Sequence, residues 1–325
     1  MKKIIGVGNA LVDILVRIDT EKLLAELGLP KGSMQFTTPE QQIQVETFLA
    51  SADTIVAAGG STSNAMKTAA MLGMETAFIG KVGMDEKGKL FEKALRQQHV
   101  RPLLVKMAGQ PTGIASTFIT PDGQRTFADH LGASALLAPA DLSPEMLDGY
   151  DTLYMEGYMV QSHDLITTVL AWAKEKGMTI CMDLASYNVV SEERYFFYNI
   201  IEQYLDIVFA NEEESMALTR MDAAEAVKEI KRLCNIAVVK LGEKGACAYA
   251  GAENYFAPGV RVGNVVDTTG AGDSFAGGFL YALSKGKNLE ACLAAGNMVA
   301  AETIQQIGAT MPESKWITIK ERLCD

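Results

Sequence analysis

Short apolar runs rich in β-branched residues recur at 4–7, 76–79, 152–155, 179–182, 207–209 and 237–241. Brief and predominantly apolar, they predict buried strands. Between them, 62–72, 86–97, 162–175, 223–233 and 273–284 carry helical patterns. Strand and helix in regular alternation imply a parallel sheet covered on both faces, with ligands gathering at the carboxyl ends of its strands.

Two stretches break this rhythm. Residues 11–18 stay strand-like directly after the first strand, where a crossover helix is expected, and 113–119 with 125–131 reads as a hairpin turned at Pro121-Asp122-Gly123. Strands placed there fall outside the main sheet and predict a small sheet that projects over the strand ends as a lid. The expected organisation is one discontinuous unit, with a large α/β domain over about 1–10, 39–110 and 133–325 and a small β lid over about 11–38 and 111–132.

Of the 325 residues, 48% are hydrophobic and 21% charged, enough to fill a large core and unlike a disordered chain. The net charge of −11 offers no footprint for nucleic acid, whose binders gather Lys and Arg on one face. An anionic nucleotide is still compatible where backbone N–H groups and a metal ion make the contact. Cys181, Cys234, Cys247, Cys292 and Cys324 form an odd, scattered set without a C-x-x-C pair and read as free thiols of a reducing cytoplasm. Gly6, Gly8, Asn9 and Asp13 interrupt the apolar start too early for a signal peptide, and there is no run of about 18 apolar residues to span a membrane. A cytoplasmic protein with neither nucleic acid nor membrane as partner is expected.

The densest chemical signal is Val265-Val266-Asp267-Thr268-Thr269-Gly270-Ala271-Gly272-Asp273-Ser274, running on into an apolar-periodic helix. Gly-Ala-Gly can fold its N–H groups into a concave nest, because glycine tolerates left-handed dihedrals, and so forms an anion hole at a helix N-terminus. An aspartate there would repel phosphate, so Asp273 points to a task that needs a carboxylate. Accepting the proton of an attacking hydroxyl is such a task, since phosphoryl transfer asks the protein mainly to position groups and neutralise charge. A lone Gly-Asp would more often be a helix cap; the whole string favours the base.

That string resembles the C-terminal signature of the PfkB, or ribokinase-like, family of carbohydrate and nucleoside kinases, and the likeness extends over essentially the whole chain. Ala58-Gly59-Gly60-Ser61-Thr62-Ser63-Asn64-Ala65 through Gly73 resembles the N-terminal signature, and Gly6-Val7-Gly8-Asn9 through Asp13 the first strand with its substrate-binding aspartate. The resemblance implies a three-layer sandwich with a central, mostly parallel sheet and a small β-sheet lid. It also implies ATP as phosphate donor, Mg2+, and a monovalent cation such as K+. Residue by residue it implies Asp273 as catalytic base with Gly270, Ala271 and Gly272 as anion hole, and Asp13, Gly59, Gly60, Asn64 and Arg125 as acceptor-binding residues. Asn211, Lys240, Gly242, Gly245, Thr268 and Asn297 fall at nucleotide positions, Glu214 near magnesium through water, and Asp267 beside the monovalent cation. The bare residues are compatible: a carboxylate such as Asp13 can accept from two vicinal hydroxyls, and Asn64 can both donate and accept.

Within the family, Asn9 through Ile14, Gln110 through Gly113 and Asp122 through Phe127 most resemble the members that phosphorylate adenosine. In those members an arginine near Arg125 can swing toward the phosphates; Arg125 could equally be a solvated hairpin residue. Glu156 puts a carboxylate where many nucleoside-kinase relatives are neutral. Phe36, Phe118, Phe127 and Tyr158 are candidates for a purine slot and equally ordinary core residues. The expected reaction moves the γ-phosphate of ATP to a primary hydroxyl of a ribose-containing acceptor, adenosine or another purine nucleoside. The alternatives are a kinase of ribose, fructose or 2-keto-3-deoxygluconate, and a non-catalytic nucleotide sensor. Leu11 stands where a dinucleotide fingerprint needs its third glycine, and no Gly-x-x-x-x-Gly-Lys-Ser/Thr occurs, so hydride transfer and a P-loop are both disfavoured. Apolar lid strands sometimes pair between subunits, so a monomer or a homodimer is expected.

Overall fold

A computed structural model describes residues 2–122, 124–184 and 186–324. Among these, nine strands make the central sheet in the order Glu253–Pro258, Gly245–Ala250, Ile236–Lys240, Ile207–Asn211, Thr179–Asp183, Thr152–Glu156, Ile4–Val7, Thr76–Gly83 and Val100–Met107. From Ile236–Lys240 onward neighbours pair in parallel, and the first two strands are added antiparallel. Successive side chains of a strand face opposite ways, which splits the core in two. Ile4 and Phe78 pack under helices Ser61–Leu72, Ala271–Ser284 and Leu289–Thr303, whereas Ile5 and Ile79 pack under His163–Glu175, Arg194–Tyr204 and Ala223–Leu233. The result is the three-layer arrangement that the alternating pattern predicted.

The predicted buried strands are all present, and several run further toward the site, as at Glu156, Asp183 and Asn211. Helices start within a residue of expectation, except that 273–284 begins two residues earlier, at Ala271.

A second sheet has the order Met34–Phe36, Arg125–Gly132, Thr112–Ile119, Leu11–Arg17 and Thr54–Ala58. The expected strand after Val7 and the hairpin both lie in it; of the hairpin's turn, Gly123 lies outside the described residues. Thr54–Ala58, within the 39–110 stretch expected for the large domain, is an edge strand of this sheet, antiparallel to Leu11–Arg17. Ile55 and Val56 are exposed there, so the segment lacks the burial pattern that would have marked it. It runs through Gly59 and Gly60 directly into helix Ser61–Leu72.

Val12, Ile14 and Val16 of one inner strand, with Ile114 and Phe118 of the next and Ala128 of the third, are buried with Leu24, Val45 and Leu49 of the adjoining helices. No helix among the described residues is long and apolar enough to cross a membrane.

Candidate active site

A cavity of about 510 Å³ lies between the carboxyl ends of the parallel strands and the underside of the small sheet. That volume is in the range of small-molecule sites. The strand ends deliver Asn9, Glu156, Asp183, Asn211 and Lys240 to it, and helix Ala271–Ser284 delivers its first turn.

Gly270 is the N-cap of that helix, at φ 72°, and a Cβ there would lie 2.4 Å from Cβ of Ala309. Of the two glycines in the loop, only Gly270 uses the left-handed region. The expected nest is therefore one left-handed residue followed by a helical turn. The N–H of Ala271 donates to the Thr268 carbonyl at 3.2 Å, while Gly272 and Asp273 carry first-turn N–H groups that have no acceptor within the helix.

Asp273 is not the cap. Its Oδ1 accepts from Ser61 Oγ at 2.7 Å and its Oδ2 from Asn64 Nδ2 at 2.9 Å. Burial raises its pKa; the Ser61 and Asn64 hydrogen bonds and the Lys240 charge pull the other way without cancelling it. Asn64, expected to meet the acceptor, thus also steadies Asp273, and its own Oδ1 is buried without a partner.

Across the cavity floor Lys240 Nζ pairs with Asp183 Oδ2 at 2.6 Å. Burial alone would lower Lys240, but the Asp183 and Glu214 carboxylates hold it above its ordinary value. Its ammonium would lie 3.1 Å from a Cβ on Gly272, so glycine keeps the cation close to the helix start. Asn211 and Glu214 form a reciprocal capping box on helix Glu212–Thr219: Glu214 N donates to Asn211 Oδ1 at 2.8 Å, and Asn211 N donates to Glu214 Oε2 at 2.8 Å. Burial pushes the Glu214 carboxyl up to about 7, against the pull of Lys240.

Glu156 does reach the cavity. It is 1% exposed, and it accepts from Asn9 N at 3.0 Å, Asn9 Nδ2 at 2.9 Å and Thr62 N at 2.7 Å. Its carboxylate thereby ties the first strand's loop to the start of helix Ser61–Leu72. Burial nonetheless raises its pKa.

The underside of the small sheet is the cavity's other wall. Alternation puts Leu11, Asp13 and Leu15 of one strand on this face, with Ala115 and Thr117 of the next and Phe127, Asp129 and Leu131 of the third. Asp13, Ala115 and Asp129 share one cross-strand row, which Phe36 extends. Asp13 is pushed up to about 7 by burial and by the charge of Asp273, with Lys67 acting against them. A Cβ on Gly59 would fall 1.8 Å from Asp13 Oδ1, and one on Gly60, at φ 82°, 2.3 Å from the Asn9 carbonyl oxygen. The glycine pair therefore lets the helix start press against Asp13. Phe36, Phe127 and Tyr158 line the cavity; Phe118, the fourth aromatic candidate, faces the opposite core with Phe48 at a centroid distance of 6.1 Å.

Arg125 is no solvated hairpin residue. Its Nη1 lies 3.0 Å from Thr268 Oγ1 and 3.0 Å from Asp267 Oδ1, so the lid reaches down to the anion loop. Asp267 also accepts from Thr269 N and from Gly308 N, each at 2.8 Å. Thr268 and Gly242 line the cavity. Two nucleotide candidates do not. Asn297 spends its amide on the carbonyls of Ala257 and Pro258 at 3.0 and 3.1 Å. Gly245 starts a strand at φ 112°, where a Cβ would meet the Ala257 carbonyl at 2.1 Å. Both serve the antiparallel end of the sheet.

Sequence reasoning missed Ser61, Asp183 and Asp129. A signal existed for two of them: Asp183 ends a buried apolar strand, and Asp129 interrupts an apolar every-second-residue series between Phe127 and Leu131.

Residues 33–316 match the pfkB family of carbohydrate kinases. An adenosine kinase of Schizophyllum commune is 30% identical, covering 97% of this chain and 97% of its own. Among solved structures, adenosine kinase from Sinorhizobium meliloti superposes with a TM-score of 0.91 at 32% identity over 99% of each chain. A probable sugar kinase from Rhizobium etli CFN 42 gives 0.90 at 32% identity, again over 99% of each.

Proposed function

The chain belongs to the pfkB family of carbohydrate kinases, and from that premise we propose that it transfers the γ-phosphate of ATP to the primary hydroxyl of a purine nucleoside, adenosine first. The observation that carries the reading is Asp273, a half-buried carboxylate held by Ser61 and Asn64 at a helix start and lining the cavity. Its raised pKa leaves a carboxylate basic enough to take a hydroxyl proton. In the proposed step the acceptor oxygen forms its bond to the γ-phosphorus as Asp273 takes the hydroxyl proton. The bond from phosphorus to the β–γ bridging oxygen breaks, and ADP leaves with that electron pair. The N–H groups of Gly272 and Asp273, Lys240 and Arg125 surround the place where charge develops.

Asp13, in the grip of Gly59 and Gly60, is assigned to the ribose hydroxyls. Leu15, Phe36, Phe127 and Tyr158 offer the apolar walls that a base requires and a bare sugar does not. The adenosine kinases among the relatives support a nucleoside over a sugar; the probable sugar kinase of equal identity keeps sugar phosphorylation as the second reading. For Mg2+, the oxygen donors Asp183, Asn211 and Glu214 fit an ion held largely through water, and the carboxylate surplus around Lys240 is what a divalent cation would relieve. When bound, magnesium would supply charge neutralisation to the phosphates. A cytoplasmic setting accords with Cys181, Cys234, Cys247 and Cys292 being free thiols.

The test is ADP release from MgATP with adenosine, inosine, guanosine, ribose, fructose and 2-keto-3-deoxygluconate, for the wild type and Asp273→Asn. Turnover on a purine nucleoside that the variant loses is expected. Turnover confined to sugars would sink the nucleoside reading, and full activity in the variant would sink the base.

A further inference from the structure

Along the underside of the small sheet, every side chain offered by strand Arg125–Gly132 to the cavity is apolar except one. Asp129 sits between Phe127 and Leu131, next in its row to Phe36, and its Oδ1 is closed off from solvent with no hydrogen-bond partner. A carboxylate oxygen in that position is unfavourable unless something donates to it. Among the described residues lining the cavity the one lysine or arginine is Lys240, and it pairs with Asp183. Asp129 is only half-buried and lines the cavity, so a ligand bound there can bring a donor to its carboxylate.

Position says which part of the ligand. Asp13 and Asp129 are on the same face with only Ala115 between them in register. Two strand spacings separate their backbones by roughly 10 Å, about the reach of a nucleoside from its ribose hydroxyls to the far edge of its base. With Asp13 at the ribose, Asp129 meets the base edge between the Phe36 and Phe127 rings.

We propose that Asp129 is a specificity-determining residue that accepts a hydrogen bond from an amino group carried by the purine of the acceptor, so that the enzyme selects aminopurine nucleosides over purine nucleosides lacking that group. The inference rests on the purine-nucleoside reading and extends it to the base. An alkyl or unsubstituted base edge would leave the Asp129 oxygen buried and unpaired, whereas an amino group satisfies it. Discrimination by a site built to pair a polar group is steep for that reason.

The experiment compares kcat/KM for two matched pairs, adenosine against purine riboside and guanosine against inosine, in the wild type, Asp129→Leu and Asp129→Asn. Adenosine and guanosine each carry an exocyclic amine that the second member of the pair lacks. A hydrogen bond to a charged acceptor corresponds to roughly tenfold or more. The wild type is expected to favour the amine by at least that factor in one pair, and Asp129→Leu to bring the ratio to within about threefold. Asp129→Asn, which keeps an acceptor oxygen and the side-chain volume, is expected to fall between the two and guards against a folding artefact of the leucine. An unmoved ratio in both variants, or no amine preference in the wild type, overturns the assignment while leaving nucleoside phosphorylation intact. Turnover on ribose with none on any purine nucleoside overturns the underlying reading, and the assignment with it.

Discussion

Replacing Asp129 with asparagine is expected to stabilise the ligand-free protein at pH 8 and to do so less and less as the pH falls toward 4. Burial, with a smaller push from the charge of Asp13, raises the Asp129 carboxyl to about 7. The folded pKa lies above the unfolded one near 4, so the folded state binds the proton more tightly. Stability is therefore lost as the pH rises from about 4 through about 7 and is level beyond. A displacement of roughly three units at about 1.4 kcal/mol each sets a ceiling of about 4 kcal/mol on that loss. An amide still lacks a hydrogen-bond partner and the side chain is not wholly shut from water, so about 2 kcal/mol is the expected gain. For a chain of this size that is roughly 3 °C in Tm. Scanning calorimetry of both proteins at half-unit steps from pH 4.5 to 8, without nucleotide, reads it directly. A Tm difference that is constant across that range would mean that Asp129 titrates like a surface carboxylate, and the reasoning would fail.

Asp273→Asn should reduce kcat by roughly 10³-fold, within the usual span for a general base, while nucleotide binding measured by titration calorimetry stays within a few-fold. Because Asp273 must be ionised to accept a proton and burial raises its pKa, kcat/KM should climb with pH through a limb above the ordinary carboxylate range. Ser61→Ala removes a bond that lowers that pKa and should move the limb further up; a limb that stays put or moves down refutes the pairing. Arg125→Ala should lower kcat by about 10-fold or more if the guanidinium follows the phosphate charge, with circular dichroism unchanged; loss only of thermal stability would reduce Arg125 to a strap between lid and loop. Gly59→Ala puts a carbon 1.8 Å from Asp13 Oδ1, so KM for the acceptor should rise by at least 10-fold, as one displaced hydrogen-bonded pair implies, while KM for ATP holds.

The inner parallel strands of the main sheet were legible because they are apolar and short and the helices between them have a different period. Val100–Met107, Gly245–Ala250 and Glu253–Pro258, partly exposed toward the sheet's two edges, were not among the expected strands. The small sheet was legible in part. Leu11–Arg17 and the hairpin showed themselves, but Thr54–Ala58 is an exposed edge whose apolar residues face solvent. The Asp273 loop could be read because its glycines and acid are contiguous. Asp183 and Asp129 left only a faint signal, an acid ending or interrupting an apolar series. They acquire meaning only when the sheets bring Asp183 against Lys240 and put Asp129 on the cavity face in the row of Asp13. Asn297 is the converse case. It belongs to a run that resembles the adenine side, yet its amide is taken up by two backbone carbonyls.

The two faces of the small sheet also bear on how such a chain can change. On its inner strands the cavity-facing residues occupy odd positions, Leu11, Asp13 and Leu15 on one strand and Phe127, Asp129 and Leu131 on another, while even ones such as Val12, Ile14 and Ala128 fill the core behind. Acceptor preference can therefore drift through single substitutions that leave the packing untouched. An inserted or deleted residue within a strand would exchange both faces at once, so lineages built on this scaffold should diversify by point replacement and confine their length variation to the hairpin turn.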